Sequence, residues 1–254
     1  GGAFFQRLKQ GLSKSRESWA QKIGAIFQNR QWDEQSLVAM QETLITADVG
    51  LVIELPSPTR VVLIGALRAA VPMPAAPILS LKSSFVGTLD LLRLRVAIDA
   101  SIYDSYLGIG PFKASLEGDL ALRSSWGAQR DLVVSVGGFH PSYHPPPYLR
   151  VPALRRITVS LLKDNPRLTL RAYVALTTNT QQVGADLEFY FKVSSFQIVG
   201  NFGFDALFQV FPFGFKASVR ASVAVRAGSH TLFSIGLEFD LEGTNPWRVK
   251  GTAS

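Results

Sequence analysis

The sequence predicts an α+β fold, mostly β: a short N-terminal helical pair followed by a large antiparallel β meander. Two observations carry that reading. Apolar residues in the first fifty positions recur at steps of three and four, the helical period, whereas from Val61 onward the dominant period is two. Turn-forming residues then return every dozen or so positions, which suits hairpins and leaves no room for crossover helices. The predicted domains are a helical segment over 1–50 and an antiparallel β-rich domain over 51–254.

In AFFQRLKQGLSKSRESWAQKIGAIF (3–27), Phe5, Leu8, Leu12, Trp19, Ile23 and Ile26 share one helical face, and Arg7, Lys9, Lys14, Arg16 and Lys22 fill much of the rest. QNRQW breaks the pattern, and Asp33 is the expected N-cap of a second helix carrying Leu37, Met40 and Leu44. The first helix reads either as a bundle helix with a solvated basic face, or as an interfacial helix. In the second case Phe4 and Phe5 enter lipid while the basic residues meet anionic headgroups.

Strand alternation is plain in ADLEFYFKV (185–193), GFKASVRASVAVR (214–226) and SIGLEFDLEG (234–243), and recurs over 91–101, 114–124, 156–162 and 167–177. Between these runs stand Pro72 and Pro74, Gly108 to Pro111, Pro145 to Pro147, Asp164 to Pro166, Asn179, Pro212, Gly228 and Asn245 to Pro246. The count comes to about ten to twelve strands. Their length favours a curved sheet, a groove or a barrel-like form, because a wide flat sheet leaves exposed edges.

Composition narrows the chemistry. With 47% hydrophobic and 18% charged residues, the chain of 254 is rich enough for a sizeable core. The net charge of +7 is spread as isolated Lys and Arg, a solvated surface and not a nucleic-acid footprint. The absence of cysteine excludes disulfides, thiolate metal sites and thiol nucleophiles. No run reaches the ~20 apolar residues of a spanning helix, and the first residues lack a signal-peptide pattern. A transmembrane barrel also fits the alternation, but with no recognisable aromatic girdles it ranks below a water-exposed sheet.

The best-looking constellation is GGFHPSYHPPPY (137–148), where His140 and His144 have ligand-like spacing beside Tyr143 and Tyr148. Pro141 and Pro145 to Pro147 forbid the helix that would align the two imidazoles, so a structural loop is expected and no metal or other cofactor. Asp186, Glu188, Glu238, Asp240 and Glu242 could pair as a glycosidase dyad, but read more simply as solvated strand carboxylates. His230 falls in a hairpin turn with no Ser-His-Asp arrangement around it. The Phe-dense GFDALFQVFPFGF (203–215) reads as core, or else as an apolar ligand groove.

FFQRLKQGLSKSRESWAQKIGAIF with DEQSLVAMQETLITADVG resembles the start of the N domain of the bacterial signal recognition particle receptor, over residues 3–50. That resemblance implies a helical bundle, membrane-facing Phe4, Phe5, Arg7 and Lys9, and an interface motif at Ala47, Asp48, Val49 and Gly50. No GxxxxGK[ST] loop follows, so no GTP is expected to bind. ELPSPTRVVLIG, VGGFHPSYHPP, DNPRLTLRAYVALTTNTQQVGA, GFDALFQVFPFGF and GTNPWRVKGTAS resemble an uncharacterised bacterial β-rich domain family, over residues 51–254. This second resemblance implies a fold neighbourhood, no catalytic residue, and a sheet edge left unfinished at GTAS. ETLITADVGLVIELPSPTRVV thus reads as a seam between two families.

The expected function is a non-enzymatic β-rich structural or interaction module with an N-terminal amphipathic helix. The alternatives are a membrane-targeting protein related to the receptor but lacking its GTPase domain, or a carrier of an apolar ligand in a β groove. Expected partners are an anionic membrane surface, protein partners, or the rest of a larger β-rich protein, with no nucleic acid. The expected location is cytoplasmic or peripheral at the inner membrane face.

Overall fold

The computed structural model describes residues 44–254 apart from 54–59, 72–76, 111, 128, 163 and 245. The first predicted helix and Phe4, Phe5, Arg7 and Lys9 lie outside the described residues. The strands are β1 (Leu44–Ile53), β2 (Arg60–Val71), β3 (Leu79–Asp90), β4 (Arg95–Ile109), β5 (Phe112–Trp126), β6 (Arg130–Val136) and β7 (Ile157–Leu161). They continue as β8 (Arg167–Thr177), β9 (Thr180–Val193), β10 (Phe196–Gln209), β11 (Gly214–Ala227), β12 (His230–Gly243) and β13 (Arg248–Ala253). All belong to one antiparallel sheet in chain order, except that the short β7 pairs with β5 and β8. β1 and β13 are its edges, each paired to one neighbour among the described strands.

The α+β expectation is corrected: the described residues are antiparallel sheet, with only a 3₁₀ turn at Pro147–Leu149. LITADVG, expected to close a helical pair, is the first part of β1. Ala47, Asp48, Val49 and Gly50 oppose Leu67, Ala66, Gly65 and Ile64 of β2, and the strand continues past Gly50 to Ile53 without interruption. LITADVGLVI contains β-branched Ile45, Thr46, Val49, Val52 and Ile53, and beside RVVLIGALRAAV it gains a full ladder of backbone bonds. A helical period read from three apolar residues cannot outweigh that pairing.

Register divides the sheet into two faces of opposite character. In β9–β12 one face carries Leu187, Phe189 and Phe191, then Ile198, Phe202 and Phe204, then Val219, Ala221 and Val223, then Ile235, Leu237 and Phe239. The same face continues through Leu168 and Leu170, Leu120 and Leu122, Val96 and Ile98, Phe85 and Leu89, to Val61 and Leu63. No charged residue occurs at these positions and none of them is buried; the most open, Phe202, Ile235 and Leu237, are 47%, 53% and 52% exposed.

The opposite face carries the charges, yet it is where burial concentrates. Val133, Ser135, Tyr173, Ala175, Gln182 and Asp205 are all buried there. Segment 137–156 lies against this polar face, so the core sits between a loop and the hydrophilic side of the sheet.

Candidate functional site

The loop leaves β6 at Gly137 and Gly138, whose φ angles of 77° and 96° need glycine. A Cβ on Gly137 would stand 2.4 Å from the Ala172 carbonyl oxygen. Proline then denies the segment regular pairing, so side chains of the strands and of Arg156 satisfy its backbone groups. The His140 N–H donates to Gln182 Oε1 at 2.9 Å, and Ser135 Oγ donates to the Gly138 carbonyl at 2.6 Å. Arg123 Nε donates to the Leu149 carbonyl at 3.0 Å, and Arg156 donates to the carbonyls of Gly137 and Phe139.

Beneath the loop runs an ionic network. Tyr173 Oη donates to Asp205 Oδ1 at 2.8 Å, and Arg220 reaches Asp205 Oδ2 at 2.8 Å and Asp186 Oδ1 at 3.4 Å. The Arg156 guanidinium lies 3.8 Å from the Tyr173 ring centre. Tyr173 on β8 reaches Asp205 on β10 only because β9 offers Gly184 between them; a Cβ there would lie 2.4 Å from Tyr173 Cε1 and 2.6 Å from Asp205 Oδ1. Burial, and then the hydrogen bond to Asp205, push the Tyr173 phenol far above its ordinary range.

Three further acids of this face are paired too. Arg155 holds the Asp119 carboxyl down at about 2, with Ser101 adding a further bond. Arg167 and Arg171 flank Glu188 and lower it. Arg123 grips Asp99 through both carboxylate oxygens at 2.8 and 2.9 Å. Asp119 and Glu188 are thus held ionised, the reverse of the raised carboxyl that a general acid needs.

The cavities lie along this face. One of about 690 Å³ is walled by residues from Arg171 on β8 to Thr252 on β13. A second of about 410 Å³ lies between His140 and the β10–β13 strands. The first of these spans six neighbouring strands of the polar face.

His140 and His144 do not converge. His140 is buried, and its Nδ1 accepts the Ser142 N–H at 3.1 Å, while His144 is exposed. Burial lowers the His140 imidazole pKa. Among the described residues no group of three or more His, Cys, Asp or Glu could hold a metal ion. Tyr143 packs on Phe139, ring centres 5.3 Å apart, and Tyr148 meets Arg95. Asp186, Glu188 and Glu242 each face a cation, while Glu238 opposes Arg220 and Thr252 and Asp240 opposes Ser218 and Lys250. His230 is exposed at the start of β12, and Asp48 and Val49 are exposed on β1.

In GFDALFQVFPFGF, Leu207 is buried core as expected, but the phenylalanines are not. Phe204 and Phe208 lie on the apolar face, and Phe211 and Phe213 at the hairpin tip are 80% and 63% exposed. Sequence reading missed Arg123, Tyr173 and Asp205, which lie on three different strands and each read alone as an ordinary polar position.

No curated protein and no solved structure matches the chain. A family model, described as a family of unknown function (DUF6603), matches residues 35–254. The match crosses position 50/51, as β1 does, and takes in the LITADVG stretch on which the resemblance to the receptor chiefly rested. The match takes in 220 of the 254 residues, and the chain belongs to the DUF6603 family.

Proposed function

We propose that the chain is a non-enzymatic β wall whose apolar face lies against lipid hydrocarbon and whose polar face lines an interior. The observation that supports it is sidedness. The uncharged face is exposed, while the charged face carries the cavities and is packed by a loop, the arrangement of a membrane-embedded β wall. A carrier of an apolar ligand needs the opposite sidedness, with the apolar residues lining the cavity.

Dimensions agree. Twelve strands abreast at about 4.8 Å, with β7 in the same row as β6, and 14-residue strands at about 3.4 Å per residue give a sheet about 58 by 48 Å. A strand of that length tilted by about 45° crosses about 34 Å, the scale of a bilayer core. Monomeric water-soluble proteins rarely leave more than a few hundred Å² of apolar patch uncovered. Aromatic residues mark both ends of the strands: Trp126, Phe211, Phe213 and Trp247 at one, Phe112 and Phe196 at the other, all exposed.

The absence of native cysteine makes the test direct. Single cysteines at Val223, Ile235 and Leu237 on one face, and at Ser222, Ser234 and Thr252 on the other, take a nitroxide label in the full chain reconstituted into phosphatidylcholine vesicles. The expected result is a two-residue alternation, with oxygen collisions high on the apolar face and a water-soluble nickel complex excluded from it. Equal access of the nickel complex to both faces, or the same protection without lipid, would defeat the reading; the latter outcome points to coverage by protein.

A further inference from the structure

Where β2–β5 end beside the 3₁₀ turn, the polar face holds a cavity of about 510 Å³ with a strong surplus of positive charge. Five arginines line it: Arg60, Arg93, Arg95, Arg123 and Arg150. Two carboxylates answer them. Asp90 takes Arg93 at 3.0 Å and Arg60 at 3.7 Å, and Asp99 takes Arg123 at 2.8 Å. Arg95 and Arg150 have no carboxylate partner among the described residues. Arg95 Nε is also buried without any hydrogen-bond partner, its Nη1 has only a 3.5 Å contact to the Tyr148 carbonyl, and its guanidinium stands 5.6 Å from the Tyr148 ring centre.

A buried donor with no acceptor is costly, and here it sits in a cavity where cations outnumber carboxylates. We propose that this cavity binds a phosphate group, carried either by a soluble phosphoester or by a lipid headgroup. Several guanidinium forks around one space match the many acceptor oxygens and double charge of a phosphate better than a single carboxylate. The acceptor would satisfy Arg95, while Arg150 supplies charge from the exposed side. The site lies on the polar face and does not rest on the lipid reading of the opposite one.

The test titrates inorganic pyrophosphate into the full chain in a nonionic detergent, without lipid, and separately floats the chain with phosphatidylcholine vesicles containing or lacking phosphatidic acid. The variants are Arg95→Gln with Arg150→Gln, Arg150→Gln alone, which alters only an exposed side chain, and Arg226→Gln, which removes the same charge away from the cavity. The double variant should weaken the responding arm at least tenfold, Arg150→Gln should weaken it several-fold, and Arg226→Gln should leave it unchanged. Loss of the phosphatidic acid dependence, with or without loss in the pyrophosphate arm, assigns the site to a headgroup; loss with pyrophosphate alone assigns it to a soluble phosphoester. Absence of saturable pyrophosphate binding together with no preference for phosphatidic acid overturns the proposal, as does equal weakening by Arg226→Gln.

Discussion

The two faces of this sheet obey opposite rules. On one, Tyr173, Gln182 and Asp205 are buried polar groups, each with a hydrogen-bond partner; on the other, Phe202, Ile235 and Leu237 are large apolar groups left half uncovered. A water-soluble sheet buries its apolar side and solvates its polar one. The inversion teaches that order on the polar face comes from directional bonds, and that the apolar face contributes its full stabilisation only when something apolar covers it.

The largest expected effect breaks the polar side. Asp205→Ala leaves the Tyr173 hydroxyl buried without its acceptor and takes from Arg220 its closest carboxylate. The expected loss is about 3 kcal/mol of unfolding free energy, read by denaturant titration in detergent. An equal loss from Ser218→Ala, the residue opposite Asp205 on β11, would show that Asp205 has no special place.

Next comes a charge on the apolar side. Ile235→Lys, on a half-exposed position, should cost about 2–4 kcal/mol in a bilayer and under about 0.5 kcal/mol in a detergent-free aqueous state. Comparing unfolding in the two media separates lipid contact from mere exposure; an identical cost in both removes the lipid from the comparison.

Glycine supplies a smaller and cleaner contrast within one ladder. Gly184→Ala would drive a methyl into Tyr173 and Asp205, whereas the nearest atom to a Cβ on Gly200 is Phe189 Cβ at 3.8 Å. The expected cost is about 1–3 kcal/mol at Gly184 and close to none at Gly200, measured as denaturation midpoints. Similar costs at both sites would mean that the polar face is no more tightly built than the apolar one.

Much of this contrast was legible beforehand. The period-two runs in 185–193, 214–226 and 234–243 place the strands, and the turn residues fix their sequential pairing. Alternation says that two faces differ but not which one is covered, so the Phe-rich side read as core. Deciding that requires knowing where segment 137–156 lies, and its proline-rich sequence encodes only that it is a loop. The aromatic rims escaped notice because Trp126, Phe211 and Trp247 come from separate turns and meet at one end only through the register. The helical reading of 44–50 failed for a related reason: the pairing partner, β2, lies beyond the window in which the period was judged.

Acid should act on the polar face through Asp119. Its folded carboxyl, at about 2, is depressed below the unfolded value of about 3.9, so its contribution is complete above about pH 4 to 5 and is lost as the pH falls through 2. Because Arg155 is more than half exposed, the contribution should be discounted to about 1 kcal/mol. Arg155→Gln should flatten unfolding free energy against pH between 4 and 2; an unchanged slope would mean that the pair adds nothing.

The smallest expected effect belongs to His140, and it probes whether the loop is seated on that face. Burial lowers its pKa against the opposing pull of Asp205, and Lys216, Arg156 and Arg220 lower it further. The Ser142 N–H bond to Nδ1 also requires an imidazole without a proton there. The unfolded chain therefore takes up the proton first, near pH 6.5, and stability declines as the pH falls from there toward the folded value. His140→Gln should remove that decline between pH 7 and 5 while leaving the Asp119 transition below pH 4 in place. If the slope between pH 7 and 5 persists in His140→Gln, another group is responsible. If it is absent from the unaltered chain, the imidazole is as well solvated as it is in the unfolded state, and the loop does not shield the polar face at His140.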